Sequence, residues 1–320
     1  MGELAIFTGN AHRRLATEIC RHLNVPLGTA QVFEFSNENI FVKIDENVRG
    51  KDVFVVQPFS TPVNTSIMEM LIMIDALKRA SAQRITAVVP YYAYGRTDKK
   101  DQPRVPITAR LIADCLTVAG ANRVLTMDLH AQQVQGFFDI PVDHLYSLPV
   151  LIKYLRKQLT GKTTVVSPDL GGLKMASAYA EALGANLAIV AKERRSATQT
   201  DALYLIGEVE GRDILLVDDL TETAGTLTSA AELLKTRGAL KIYAGVSHAV
   251  LVDMAVQRLQ KSKITELVTT NSTPVRTVEG FKTTVLCVSE LLGEGIKRIH
   301  NDESVSSLFN IENGKNGKTS

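Results

Sequence analysis

The chain has 320 residues, room for two domains of ordinary size, and its 45% hydrophobic and 22% charged content is that of a soluble globular protein with a sizeable core. A net charge of +2 gives no global attraction to nucleic acid or a membrane surface, so any anion site has to be local. No stretch approaches the ~20 apolar residues of a membrane span, and the opening MGELAIFTGN lacks the basic and apolar regions of a signal peptide. The cysteines, Cys20, Cys115 and Cys287, are odd in number and far apart, which predicts buried thiols in a reducing, cytoplasmic setting.

Residues 4–7 read as a strand and 11–23 as a helix. Alternation over 32–44 is broken at FSNEN. A strand at 52–57 is followed by a helix over 65–80, with Asn64 or Thr65 as its cap, and by a strand at 85–89 stopped by Pro90. The loop YYAYGRTDKKDQPRVP comes next, then a helix over 107–119 and a strand over 123–127 that ends in DLH. After Pro141 the order begins again. A helix at 148–159 leads to a strand at 164–166 ended by SPDLGG, a helix at 173–183, and a strand at 187–190 followed by KERRSATQTD. A strand at 214–217 runs into VDDLTETAGT, and a helix opens near Thr226. Strands at 242–247 and 266–269 flank a helix at 253–261, and a last helix covers 290–300. The alternation predicts an α/β fold of two doubly wound parallel-sheet domains with a seam near Tyr146. The expected domains are 1–145 and 146–300, with 301–310 packing back on the first and 311–320 a flexible tail.

Ligands of open α/β sheets sit beyond the carboxyl ends of the strands. Four such ends carry chemistry: MDLH (Asp128, His130), SPDLGG (Asp169, Gly171, Gly172), AKERR (Lys192, Arg194, Arg195) and VDDLTETAGT. In the last, loop amides and a helix N-terminus can hold a phosphate, while Asp218 and Asp219 suit sugar hydroxyls or a Mg2+ that travels with the phosphate. An ordinary βα turn, with its Asp and Thr residues capping the helix, is the alternative. His130 could likewise be a capping residue, and Lys192–Arg195 a solvated charge run. The inventory of carboxylates, one imidazole, cations and glycine turns fits Mg2+ with polyphosphate. It contains no Ser-His-acid or Cys-His grouping and no CxxC pair.

The runs VKIDENVRGKDVFVVQ, PYYAYGRTDKKDQPRVPITARL, MDLHAQQVQGFFDIPVDHLY, VVSPDLGG, KERR, LLVDDLTETAGTL and NDESVSSLF resemble class I ribose-phosphate pyrophosphokinases, of the type I phosphoribosyltransferase fold. The similarity spans residues 5–309. It implies transfer of the diphosphoryl group of ATP to the C1 hydroxyl of ribose 5-phosphate, giving 5-phosphoribosyl 1-pyrophosphate and AMP for nucleotide biosynthesis. Carried over by position, the resemblance makes His130 and Asp169 Mg2+ contacts, with Asp128 near them. Lys192 and Arg194 meet charge on the diphosphoryl oxygens. Asp218, Asp219 and Glu222 face the sugar, and Thr223, Ala224, Gly225 and Thr226 form the 5-phosphate cradle. Arg96 and Thr97 reach ATP phosphates, and Phe35, Asn37, Glu38 and Asn39 hold adenine. The resemblance places Arg49, Ser304, Ser306 and Ser307 where class I members bind phosphate, as an activator, or ADP as a regulator. Hexamers built from dimers are implied, with no nucleic acid or membrane partner.

The chain departs from the family pattern at four positions. Glu222 stands where Asp is common, moving the carboxylate by one methylene. Asn39 replaces Glu, Met175 an Arg, and Asn47 a Ser near the regulatory phosphate. A phosphoribosyltransferase that consumes the product would share the 218–226 loop but has no need of the N-terminal half. A non-enzymatic relative that assembles with an active synthetase would be expected to lose Lys192 and Arg194, and both are present.

Overall fold

The computed structural model describes residues 2–159, 161–193 and 202–309. In chain order the first elements are β1 (Leu4–Thr8), α1 (Arg13–Leu23), β2 (Ala30–Glu34), β3 (Ile40–Ile44), β4 (Asp52–Val56), α2 (Val63–Arg79), β5 (Arg84–Val89), α3 (Thr108–Ala119), β6 (Arg123–Met127) and β7 (Val142–Leu145). The second series is α4 (Leu148–Gln158), β8 (Thr163–Ser167), α5 (Leu173–Leu183), β9 (Asn186–Glu193), β10 (Ala202–Ile206), β11 (Asp213–Thr221) and α6 (Gly225–Thr236). It ends with β12 (Ile242–Ala249), α7 (Asp253–Lys261), β13 (Glu266–Thr270), β14 (Thr283–Leu286) and α8 (Ser289–His300).

Two compact units result. One holds the chain up to Ser147 with Ser272–Pro274 and Cys287–Phe309; the other holds Leu148–Asn271 and Val275–Leu286. Sequence order therefore does not divide the chain into two consecutive blocks: α8 packs on α1 in the first unit. The tie is electrostatic as well as apolar. Asp52, at the start of β4, is 1% exposed. Its carboxylate accepts a forked pair from Arg84, Nε at 2.8 Å and Nη2 at 2.6 Å, and lies 2.8 Å from His300 Nδ1 at the end of α8. Arg84 Nη2 also donates to the Ile299 carbonyl at 2.9 Å. One arginine thus satisfies a buried acid and an open helix carbonyl together.

The first sheet is wholly parallel in the order β1-β4-β5-β6-β7, and β2 and β3 form a separate antiparallel hairpin. In the second, the order β10-β9-β8-β11-β12-β13-β14 reverses between β8 and β11, and only the edge strand β10 pairs antiparallel. Alternate residues of β11 feed different cores, because side chains alternate across a strand. Ile214 and Leu216 join Leu227, Ala230 and Leu234 of α6. Leu215 and Val217 join Leu151 and Leu155 of α4 and Tyr179 of α5. A strand buried on both faces must be apolar throughout, which is why ILLV reads as an unbroken run.

Several expectations need correction. The strand expected to stop at Val217 continues to Thr221, because β12 goes on offering partners at Val246, His248 and Ala249. Neither Asn64 nor Thr65 caps α2. That helix begins at Val63 after Pro62, with no side-chain cap bond. Strands β7, β10 and β14 are additional to the elements expected. Of the thiols, Cys20 is buried, but Cys115 is half-buried and Cys287 exposed, so buried thiols hold for one of the three. Burial pushes the Cys20 thiol up to about 11. Among the described residues no helix is long and apolar enough to cross a membrane. The expected tail at 311–320 lies outside the described residues.

Removing the Asp52 carboxylate leaves Arg84 and His300 without their shared partner. Asp52→Ala is expected to cost about 2–3 kcal/mol in urea unfolding followed by circular dichroism. Lys51→Ala, which breaks the more exposed Lys51–Glu3 pair, should change stability by less than about 1 kcal/mol.

Candidate active site

In the second unit the reversal of strand order opens a crevice at the carboxyl ends of β8 and β11. Two turns meet there. After β8, Ser167 Oγ donates to the Asp169 carbonyl at 2.7 Å, and the Gly172 N–H donates to Asp169 Oδ1 at 3.0 Å. Gly172 is required at this approach: a Cβ would lie 2.8 Å from Ser167 Oγ. After β11 the chain turns through Glu222, Thr223 and Ala224 into α6. Ala224 sits at φ 55°, in the left-handed region, a conformation that costs an alanine on the order of 1–2 kcal/mol. Such strain persists where surrounding structure holds it, often at ligand sites.

The start of α6 is open. Ala224, at the cap position, makes no side-chain cap bond, and the nearest hydroxyl, Thr223 Oγ1, accepts the Gly225 N–H at a long 3.4 Å. The capping alternative is therefore weak, and the first amides of α6 remain available to an anion. An open hollow of about 1080 Å³ lies in front of them, lined among others by Asp169, Leu170, Gly171, Thr223, Gly225, Thr226 and Arg258. Sequence reasoning missed Arg258. It sits on α7, and its Nη1 donates to the Thr223 carbonyl at 3.1 Å.

Asp218 and Asp219 lie at the end of β11. Asp219 N–H donates to Asp218 Oδ1 at 2.9 Å. Burial first, then the Asp219 carboxylate and, less strongly, Asp169, push the Asp218 carboxyl well above the usual carboxylate range. A crowd of acids of this kind suits hydroxyl donors or a divalent cation, either of which relieves the repulsion. Among the described residues no group of three or more His, Cys, Asp or Glu side chains is placed to hold a metal ion. Mg2+ carried on phosphates needs only one or two protein carboxylates, so the donor set fits that mode of binding.

The first unit places its expected residues on loops at strand ends. His130 is exposed after β6. Asp128 is 5% exposed and its Oδ2 accepts the Ser147 N–H at 3.0 Å, so this carboxylate braces the turn. Arg96 and Thr97 are exposed, and Thr97 Oγ1 donates to the Tyr94 carbonyl at 2.7 Å. Phe35, Asn37, Glu38 and Asn39 form the exposed tip of the β2–β3 hairpin. Phe35 stands edge-on to Phe33 with ring centroids 5.2 Å apart, and Glu38 holds φ 65°. Arg49 is exposed, its N–H bonded to Asn47 Oδ1 at 3.1 Å. Ser304, Ser306 and Ser307 are exposed beyond α8. Arg298, which the sequence did not single out, donates to the Ser304 carbonyl at 2.9 Å and to Ser307 Oγ at 2.5 Å. Lys192 is in β9, but its side chain lies outside the described residues, as do Arg194 and Arg195.

The raised Asp218 pKa has a defined sign. A carboxyl whose folded pKa exceeds its unfolded value, 3.8, adds stability below that value and loses it as pH rises through the folded pKa. The ionised form of Asp218 is thus disfavoured in the folded protein. Asp218→Asn is expected to stabilise the protein by on the order of 1 kcal/mol at pH 8, with the gain vanishing near pH 4. Thermal melts across that range check this; a lower melting temperature for the variant at pH 8 would contradict it.

Comparison with known proteins agrees along the chain. The family described as the N-terminal domain of ribose phosphate pyrophosphokinase matches residues 4–120, and the phosphoribosyl synthetase-associated domain matches 196–310. Ribose-phosphate pyrophosphokinase A of Dictyostelium discoideum is 49% identical over 313 residues, covering 97% of this chain and 99% of that protein. The ribose-phosphate pyrophosphokinase of Clostridium perfringens is 50% identical over 310 residues, covering 96% and 97%. The crystal structure of phosphoribosylpyrophosphate synthetase from Mycobacterium smegmatis superposes with a TM-score of 0.89 at 41% identity, over 94% of this chain and 99% of that one. With this degree of identity over nearly its whole length, the chain belongs to the ribose-phosphate pyrophosphokinase family.

Proposed function

We propose that the protein transfers the diphosphoryl group of ATP to the C1 hydroxyl of ribose 5-phosphate, yielding 5-phosphoribosyl 1-pyrophosphate and AMP for nucleotide biosynthesis. The observation that carries this reading is the acid pair Asp218–Asp219 set directly before an uncapped helix start. That combination suits a polyhydroxylated sugar at one end and its phosphate at the other. The reaction is substitution at phosphorus. The C1 oxygen bonds to the β-phosphorus of ATP, the bond from that phosphorus to the bridging oxygen of AMP breaks, and the hydroxyl proton is lost. The protein's work is positioning and charge stabilisation.

Asp218, Asp219 and Glu222 accept hydrogen bonds from the sugar hydroxyls. The amides of Ala224, Gly225 and Thr226, with the Thr223 and Thr226 hydroxyls, take the 5-phosphate. Lys192 and Arg194 meet the charge that builds on the diphosphoryl oxygens, the lysine as a point charge and the arginine as a planar fork. Arg96 and Thr97 are assigned to the ATP phosphates, and Phe35, Asn37, Glu38 and Asn39 to adenine, which the exposed ring of Phe35 suits by stacking. Mg2+, assigned to His130 and Asp169 with Asp128 near them as a third metal residue, supplies neutralisation of the polyphosphate charge when bound. Arg49, Ser304, Ser306 and Ser307 are assigned to a regulatory phosphate or ADP. The same reading includes inorganic phosphate as an activator, a hexamer of dimers and a cytoplasmic location. Neither a nucleic-acid nor a membrane partner is part of it.

Incubation with ATP, Mg2+ and ribose 5-phosphate is expected to release AMP only when the sugar phosphate is present. Base-dependent consumption of added 5-phosphoribosyl 1-pyrophosphate, without AMP release, would favour a transferase instead. Lys192→Ala should lower kcat by about 100-fold or more while the ATP KM stays within about threefold, because the charge it meets develops in the transition state. A raised ATP KM with kcat preserved would refute that assignment.

A further inference from the structure

Acids precede the phosphate cradle in the chain, and one of them lies at its edge. Asp169 lines the hollow, and Asp218, Asp219 and Glu222 lie on the strand and turn that lead into it. Among the described lining residues the single cation is Arg258. It comes from α7, 35 residues beyond Thr223 in sequence. It is exposed, and among the described residues its one hydrogen bond is from Nη1 to the Thr223 carbonyl at 3.1 Å. A guanidinium has five N–H donors, so most of this fork is uncommitted. Its position against the loop depends on Gly225. A Cβ there would lie 2.8 Å from Arg258 Nη1, so any larger residue pushes the fork away from the helix start.

From this placement we infer that Arg258 is a substrate-binding residue for the 5-phosphate, reaching over the uncapped start of α6 to neutralise it. The inference rests on the proposed reaction and extends its binding site to a second helix. The amides of α6 supply partial positive charge and directed donors. A phosphate dianion in a hollow that also holds the Asp169 carboxylate is better held with a full positive charge as well, and a planar fork matches two phosphate oxygens. The Thr223 carbonyl holds the guanidinium over the cradle before substrate arrives, which lowers the side-chain entropy lost on binding. Arg258 acts on the phosphate and not at the reacting C1 oxygen, so its loss should be read in sugar-phosphate binding more than in chemistry.

The test is steady-state kinetics of the full chain with Arg258→Ala and Arg258→Lys, measured by AMP release. Arg258→Ala is expected to raise the ribose 5-phosphate KM by about 10- to 100-fold, with the ATP KM and the melting temperature unchanged. Arg258→Lys, which keeps the charge, should recover most of the loss. In the wild type the ribose 5-phosphate KM should fall as pH rises through the phosphate's second pKa near ~6, and Arg258→Ala should flatten that dependence. A ribose 5-phosphate KM within twofold of wild type in Arg258→Ala overturns the inference while leaving the reaction standing. So does an equal rise in both KM values, or a lysine variant no better than alanine, since either marks Arg258 as a brace for the loop. Absence of sugar-phosphate-dependent AMP from the wild type itself overturns the reaction and this inference together.

Discussion

Asp218 and Asp219 stand next to each other at the end of a strand whose preceding residues are buried on both faces. Burial and the neighbouring Asp219 carboxylate disfavour the ionised form of Asp218, and the Asp219 N–H offsets this only in part. The strand cannot move away, because β8 and β12 pair with it on either side. The acids are therefore held in a state that the ligand-free fold does not favour, and a partner with hydroxyl donors or positive charge relieves it. The rest of the second unit serves this constraint. The reversal of strand order between β8 and β11 opens the crevice, and the left-handed Ala224 turns the chain so that α6 begins uncapped beside the acids.

The same end of the sheet thus holds two opposite electrostatic requirements a few residues apart. Carboxylates at 218 and 219 need donors, while the helix start at 224–226 needs an acceptor. A sugar phosphate carries both, hydroxyls at one end and a dianion at the other. This polarity is why the loop reads as a recognition element and not as a tidy βα turn. A turn optimised for stability would place Ser, Thr or Asp at the cap and would not leave paired acids under strain.

Much of this was legible in the sequence, and the reasons are local. Strands buried on both faces give unbroken apolar runs, so β4, β5, β6, β8, β11 and β12 announce themselves. Helices α5 and α7 were delimited to the residue by their flanking turns. The four-residue strands β7 (VDHL) and β14 (TTVL) were not, because they mix polar and apolar residues and are only partly buried, so no unbroken apolar run marks them. Helix α8 follows the second sheet in sequence yet belongs with the first unit. Its anchor is a buried acid at position 52, and no periodicity in the helix encodes so distant a partner.

For the site, the acid pair and the phosphate loop were readable because they are contiguous. Arg258 was not, since an exposed arginine on an amphipathic helix looks like any solvated charge until the fold lays it over residue 223. Asp128 could be read as an acid near His130, but its bond to the Ser147 amide, nineteen residues on, could not. The most direct measurement of the central claim is a crystal structure of the protein grown with ribose 5-phosphate. The account predicts the phosphate on the amides of residues 224–226 and the sugar hydroxyls donating to Asp218 and Asp219. A sugar phosphate bound elsewhere, with no hydroxyl at Asp218 or Asp219, would contradict it.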